Sequence, residues 1–194
     1  MPLKTAFFSA FLAALLLAQP AAAAEWDVDK AHSGIYFDII HIYSTTRGVF
    51  TDYDGTVKFD PANPADGAIE FSVKVTSVDT GVQKRDNHLR TKDFFEVSEY
   101  PEMRFVSASI APAGPGKFMV TGDLTVKDVT KTIEVHMTFG GPSDHPLMRG
   151  KQVVGMDFAF TIDRLEYNVG GGKYYEMGVL DKYAKLFVTL ELTN

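Results

Sequence analysis

From Trp26 onward, apolar and polar residues alternate along the chain with a period of two. In Ala68-Ile-Glu-Phe-Ser-Val-Lys-Val75, the residues Ile69, Phe71, Val73 and Val75 share one face, and Glu70, Ser72 and Lys74 share the other. That is the pattern of an antiparallel strand with one buried and one solvated face. The alternation recurs in Phe118/Val120/Gly122/Leu124/Val126, Ile133/Val135/Met137/Phe139, Met156/Phe158/Phe160/Ile162 and Leu186/Val188/Leu190/Leu192. Turn-forming residues separate the runs at Asp52-Tyr-Asp-Gly55, Asn63-Pro-Ala-Asp-Gly67, Ala113-Gly-Pro-Gly116 and Lys127-Asp-Val-Thr130,. With His32–Ile42 and Arg47–Phe59 the chain holds about eight predicted strands. No repeat, linker or break in composition interrupts them. The pattern predicts one all-β domain over residues 25–194, a sandwich or a barrel.

One long segment departs from the alternation. Between the strand ending at Val75 and the one entering at Phe105 lies a stretch dense in Asp, Arg, Asn and His. Thr80-Gly-Val-Gln83 reads as a capping box, followed by a short helix to about Thr91 with Arg90 and Lys92 at the end that favours cations. Asp93-Phe-Phe-Glu96 repeats the capping pattern and predicts one further turn, and Pro101 holds Tyr100 extended. In a closed β structure such an excursion either caps an opening and carries recognition chemistry or is a plain surface connection. A second loop, Asn168-Val-Gly-Gly-Gly-Lys-Tyr-Tyr-Glu-Met-Gly178, is glycine-rich and aromatic, and reads as a rim or as a loose connection.

The inward-facing set is rich in phenylalanine: Phe37, Phe59, Phe71, Phe105, Phe118, Phe139, Phe158 and Phe160. A barrel of about eight strands has room either for packed side chains or for one small ligand, and large aromatics suit both. In Ile35-Tyr-Phe-Asp-Ile-Ile-His41 the alternation places His41 on the same apolar face as Ile35, Phe37 and Ile39. It is either a satisfied core histidine or a polar contact for a ligand head group.

Composition narrows the setting. Lys4, the apolar run Ala6–Ala18 and the small residues Ala22-Ala23-Ala24 form a secretory signal peptide over residues 1–24, too short to span a bilayer,. No later stretch is long enough for a membrane helix. The chain has no cysteine, so neither a disulfide nor a thiol-linked lipid anchor is available, and a core of this size has to hold the fold alone,. Export without cysteine points to a bacterial periplasm. Without Lys4 the chain keeps 18 basic against 25 acidic residues, a formal charge of −7. With no run of Lys and Arg, nucleic acid and anionic membrane surfaces are poor partners.

Catalytic and metal chemistry find little footing. There is no Cys nucleophile, no G-x-S-x-G elbow and no H-E-x-x-H pair,. Glu134 and His136 lie on an outward strand face without further ligands. Asp52-Tyr-Asp-Gly55 starts like a calcium loop but lacks the later acidic positions, and reads as a hairpin turn. Asp79, Arg85, Asp86 and His88 are close in sequence; as an acid–base cluster they would support an enzyme, but a solvated ion-paired network is the plainer reading. We therefore expect no catalytic residues, no metal and no cofactor.

Several blocks together have a known likeness. Ser77-Val-Asp-Thr80, Arg85-Asp-Asn-His-Leu-Arg90, Asp93-Phe-Phe95 and Tyr100-Pro101 closely resemble the signature of the YceI-like family. Phe37-Asp-Ile-Ile-His41, Arg47-Gly-Val-Phe50, Gly122-Asp-Leu-Thr125 with Val129-Thr-Lys131, and Ile162-Asp-Arg164 agree in the same order. The resemblance implies an extended, lipocalin-like antiparallel β-barrel with a short helical insertion. It also implies a periplasmic or secreted protein that holds a long-chain isoprenoid or similar lipid, often as a homodimer. Two features depart from the family: Leu165-Glu-Tyr-Asn168 stands where Asp-Phe-Gly is more usual, and the glycine-rich loop is longer.

On this reading the apolar lining is Phe37, Ile39, Phe50, Phe59, Phe71, Val73, Phe94, Phe105, Phe118, Phe158 and Phe160. The polar end is His41, Arg85, Asp86 and His88. The competing expectation is a filled barrel that acts as an interaction module and carries no lipid.

Overall fold

The computed structural model describes residues 23–194, so all but the last two alanines of the expected signal peptide lie outside the described residues. Eleven strands form one antiparallel sheet among them. In chain order they are β1 (Glu25–Val28), β2 (Gly34–His41), β3 (Ser44–Phe50), β4 (Tyr53–Lys58), β5 (Ala68–Lys74) and β6 (Val78–Asp79). After the long excursion come β7 (Glu102–Gly114), β8 (Lys117–Val126), β9 (Val129–Asp144), β10 (Gln152–Asp163) and β11 (Leu180–Thr193).

The sheet closes on itself. The neighbours run β1-β4-β5-β7-β8-β9-β10-β11, and the end of β11 pairs back onto β1, with Asp27 opposite Thr193. The earlier part of β11 pairs with β2, which carries β3 and then β6. Each of β1–β2, β3–β4 and β5–β6 is therefore one long strand broken in the middle. The result is an eight-stranded up-and-down barrel, as the resemblance implies; of the sandwich and the barrel that the alternation allows, it is the barrel. Among the described residues, closure leaves no long unpaired edge,. No helix of the described residues is long and apolar enough to cross a membrane.

The breaks correct two expectations. Arg47–Phe59 is not one strand: it divides at Thr51-Asp52 into β3 and β4. Asp52-Tyr-Asp-Gly55 is not a hairpin turn, because Tyr53 to Gly55 pair with Val73 to Phe71 inside the sheet. Gly55 is needed there for space: a Cβ would lie 2.6 Å from the ring of Phe71.

Elsewhere the period of two sets the faces as expected. Phe118, Val120, Leu124 and Val126 are buried from β8, Val135, Met137 and Phe139 from β9, and Met156 and Phe158 from β10. One end of the barrel is packed solid. Phe59 meets Phe118 and Phe139 edge-on at centroid distances of 5.0 and 5.2 Å, an arrangement that aromatic quadrupoles favour. The indole N–H of Trp26 donates to the Phe59 carbonyl at 3.0 Å. At the other end a smaller cluster gathers Phe94, Leu124, Val126, Tyr167 and Val169.

The excursion holds the expected short helix and the further turn, but not the expected cap. Its helix, α1 (Gln83–Leu89), begins without a side-chain cap at Val82 and ends two residues earlier than expected. Thr80 does not cap it, because its backbone N–H and its hydroxyl both donate to Asp86. The Asp93–Glu96 stretch is a hydrogen-bonded turn, with the Phe94 and Glu96 amides both returning to the Thr91 carbonyl and Glu96 at a positive φ of 53°.

Candidate functional site

Between the solid end and these loops the barrel is hollow. The cavity has a volume of about 360 Å³, within the ~300–1,000 Å³ range of small-molecule sites. Its walls are inward positions of β2, β5, β7, β10 and β11: Phe37 and Ile39, Phe71 and Val73, Phe105, Phe158 and Phe160, Leu186 and Val188. The strand period of two places these side chains, since each is separated from the next inward one by a solvated residue.

Two loops form the mouth. From the excursion come Thr80, Arg85, His88, Leu89, Phe94 and Phe95; from the segment after β10 come Arg164, Tyr167, Val169, Tyr174 and Val179. The loops meet through aromatic rings. Tyr174, on the four-residue helix α2 (Lys173–Glu176), stacks on Phe94 at 5.6 Å with 11° between ring planes. His88 stands edge-on to Phe94 at 5.1 Å and to Tyr174 at 6.1 Å, with Nε2 at 3.0 Å from Asp93 Oδ2.

Two arginines hold the loops in shape. Arg85 Nε donates to the Thr80 hydroxyl oxygen at 2.7 Å and Nη2 donates to the Thr80 carbonyl at 2.8 Å. Arg164 is only 4% exposed, and donates to the carbonyls of Asp181, Val169 and Leu180 at 2.8, 2.6 and 3.4 Å. Burial pulls its pKa below the ordinary arginine value, and Asp163 and Asp181 offset part of that. Gly170 has φ +85°, and a Cβ there would lie 2.3 Å from Arg164 Nη1. The loop can wrap the guanidinium only because that position has no side chain.

The structure sorts the expected site residues. Phe37, Ile39, Phe50, Phe71, Val73, Phe94, Phe105, Phe158 and Phe160 border the cavity, as do His41, Arg85 and His88. His41 is exposed at the mouth, opposite Leu180, rather than buried in the core. Three residues do not border it. Phe59 and Phe118 plug the solid end, because inward direction alone does not say at what height along the barrel a ring sits. Asp86 is 5% exposed and turned toward Thr80, where it organises the loop. Arg164, Tyr167 and Tyr174 are lining residues that alternation misses, because they follow the last strand residue of β10 in irregular backbone. The aromatic, glycine-rich composition of that loop is the signal that points to it.

A separate polar group sits near the other end of β11. Ligand-type atoms of Asp29, His32 and Glu191 lie within 4.8 Å of one another, and Asp29 raises the His32 pKa through a 2.9 Å hydrogen bond. Glu134 and His136 are exposed, as read from the sequence.

Comparison with known proteins agrees with this architecture. The profile of the YceI-like domain matches residues 26–192. The chain belongs to the YceI-like family. A UPF0312 protein of Pseudomonas savastanoi pv. phaseolicola is 38% identical over 161 residues, covering 81% of this chain and 83% of the relative. The crystal structure of Burkholderia cenocepacia BcnA aligns with a TM-score of 0.76 at 30% identity, over 87% of this chain and 99% of that one. A polyisoprenoid binding domain from Saccharophagus degradans, implicated in plant cell wall breakdown, has a TM-score of 0.63 at 14% identity, over 89% of this chain and 98% of that one. At that identity the likeness is one of fold.

Proposed function

We propose that this YceI-like protein is an exported, non-catalytic carrier that holds one long apolar lipid in its barrel, of polyisoprenoid, isoprenoid quinone or fatty amide type. The observation that carries the reading is the hollow, Phe-lined interior that runs from the solid aromatic end to the two mouth loops. Burying a methylene is worth about 0.8 kcal/mol. A chain of about fifteen carbons therefore gains a gross ~12 kcal/mol on entering, enough to leave useful affinity after the cost of immobilising it. The polyisoprenoid ligand of the Saccharophagus domain, a protein of the same fold, is in keeping with such a cargo. The signal-like residues 1–24 support a periplasmic setting, in which the protein acts in lipid transport, lipid storage or a stress response.

The reading as a filled interaction module is disfavoured by the hollow half of the barrel. Native mass spectrometry with lipid extraction, on full-length protein expressed in and purified from its own cells, tests the proposal. We expect a stoichiometric lipid that dissociates on denaturation and a chain trimmed near Ala24. Empty protein that also takes up no polyprenyl lipid in vitro overturns it.

A further inference from the structure

One side of the mouth carries an apolar lip. Of the large apolar side chains exposed among the described residues, Ile40, Ile42, Tyr43, Tyr175, Met177 and Tyr183 fall in two segments that adjoin. The Ile42 amide donates to the Val179 carbonyl at 2.9 Å, and His41 pairs with Leu180. The ammonium of Lys182 stands 5.9 Å from the ring centre of Tyr175 and 4.7 Å from that of Tyr183. Interleaved with these residues, His41, Val179 and Leu180 border the cavity. The exposed apolar surface outside the barrel therefore meets the apolar tube at this lip.

The tip of the lip is built against backbone preference. Only Ile42 and Tyr43 join β2 to β3, since His41 pairs with Ser44. Ile42 has φ +55°, a region that β-branched residues rarely enter and that hairpins of this length usually give to glycine or asparagine. Tyr43 beside it is almost fully exposed. The hairpin between Val126 and Val129 makes the same two-residue connection, with Lys127 also at φ +55°, and places Lys127 and Asp128 at its tip. The fold thus accepts polar residues at such a turn. A strained tip that is apolar and exposed is offset only by burial against something outside the chain. Charge does not select that partner: over residues 173–183, Lys173 and Lys182 are matched by Glu176 and Asp181.

We infer that this lip docks on the surface of a phospholipid bilayer, with Ile42, Tyr43 and Met177 entering the interface beside the mouth. The inference rests on the carrier reading and says where the lipid is exchanged. Tyr43, Tyr175 and Tyr183 supply amphipathic rings of the kind that settle at head-group level, and Lys182 can keep its ammonium in water while its stem lies along apolar surface. The attraction is apolar rather than ionic, so a zwitterionic surface suffices for a chain with an excess of acidic residues. A fluid interface also receives a single protruding tip without a matching pocket. With the lip in place, an apolar chain passes from bilayer to tube without crossing water, which is the costly step of its transfer.

The test is co-sedimentation of the delipidated protein, purified from its own cells, with vesicles of phosphatidylcholine and phosphatidylethanolamine. Wild type is compared with the double variant Ile42→Gly, Tyr43→Ser. The variant is expected to partition about tenfold to a hundredfold more weakly, while its unfolding midpoint stays at or above that of the wild type, because glycine suits the left-handed position. A second measurement does not depend on that variant. The chain has no cysteine, so a solvatochromic label can be placed at Ser44→Cys beside the tip or at Lys117→Cys beside the solid end, both exposed. Vesicles are expected to shift the emission of the first label to the blue and to leave the second unchanged. Failure of the wild type to sediment, equal sedimentation of the variant, or equal shifts at the two labels overturns the inference. So does a shift at Ser44→Cys that grows with protein concentration in the absence of vesicles, which would assign the lip to a second copy of the chain. All of these results leave the carrier reading intact; that reading falls only if no lipid is recovered or taken up.

Discussion

The two ends of the barrel use the same residue types to opposite effect. At the solid end Phe59, Phe118 and Phe139 come from strands or residues beside them and interlock edge-to-face, leaving no room. At the open end Phe94 and Tyr174 also contact, yet across loops rather than across ladder-paired strands, and an empty tube persists beneath them. The difference is one of what fixes the backbone. Where strands close the barrel, rings are delivered to the axis and fill it. At the mouth, Arg85, Arg164, Thr80 and Asp86 spend their polar groups on holding the loops out as a rim, so the aromatics bridge the opening without collapsing into it. The rim also exposes apolar side chains, with Tyr43 97% and Met177 63% accessible, whereas Phe59 is fully enclosed.

The comparison breaks most sharply at the solid end. Phe59→Ala removes a fully buried ring from an interlocked trio and is expected to cost about 3–5 kcal/mol in urea unfolding. Phe160→Ala, whose ring borders space that is already empty, is expected to cost about 1–2 kcal/mol. Equal losses for the two would mean that the tube is packed in solution. At the rim, Gly170→Ala forces a Cβ against Arg164 at a left-handed backbone position, at a cost of about 1–3 kcal/mol. Its loss should appear as faster amide exchange across residues 165–179, with the strands of the solid end unaffected.

Thr80→Val removes the hydroxyl shared by Asp86 and Arg85. It leaves a buried carboxylate short of a donor and is expected to cost about 1–3 kcal/mol by thermal or urea unfolding. The smallest effect belongs to the group near the far end of β11. His32 is exposed, and its pKa is raised first by the hydrogen bond to Asp29, then by the charges of Asp29 and Glu191. Its stabilising contribution is complete below the ordinary histidine value of 6.5 and is lost as pH rises through the higher folded value,. The unfolding midpoint of the wild type should thus exceed that of His32→Gln only slightly, and only on the acidic side. A gap that widened with rising pH would contradict the assignment.

Much of this was legible in one dimension. A period of two is a local property, so the strands, their inward faces and the chain ends of most turns follow from residue order alone. So do the excursion after β6 and the aromatic loop after β10, as departures from that period. The lining residues on strands were readable for the same reason. Height along the barrel was not, since Phe59 and Phe105 carry the same pattern and end in opposite surroundings. Nor were the breaks within the paired strands, because Gly55 looks like a turn residue until the ring of Phe71 is known to lie over it.

What the sequence by itself determined is the alternation, and through it an antiparallel β domain, sandwich or barrel, with a Phe-rich interior. Tertiary structure decided how much of that interior is filled, which depends on rings brought together from distant strands. It also decided which charges face the cavity. Asp86 and Arg85 are neighbours in the chain, yet Thr80 takes the acid away from the mouth and holds the cation there. That selection is made by hydrogen bonds between folded loops, and residue order does not contain it.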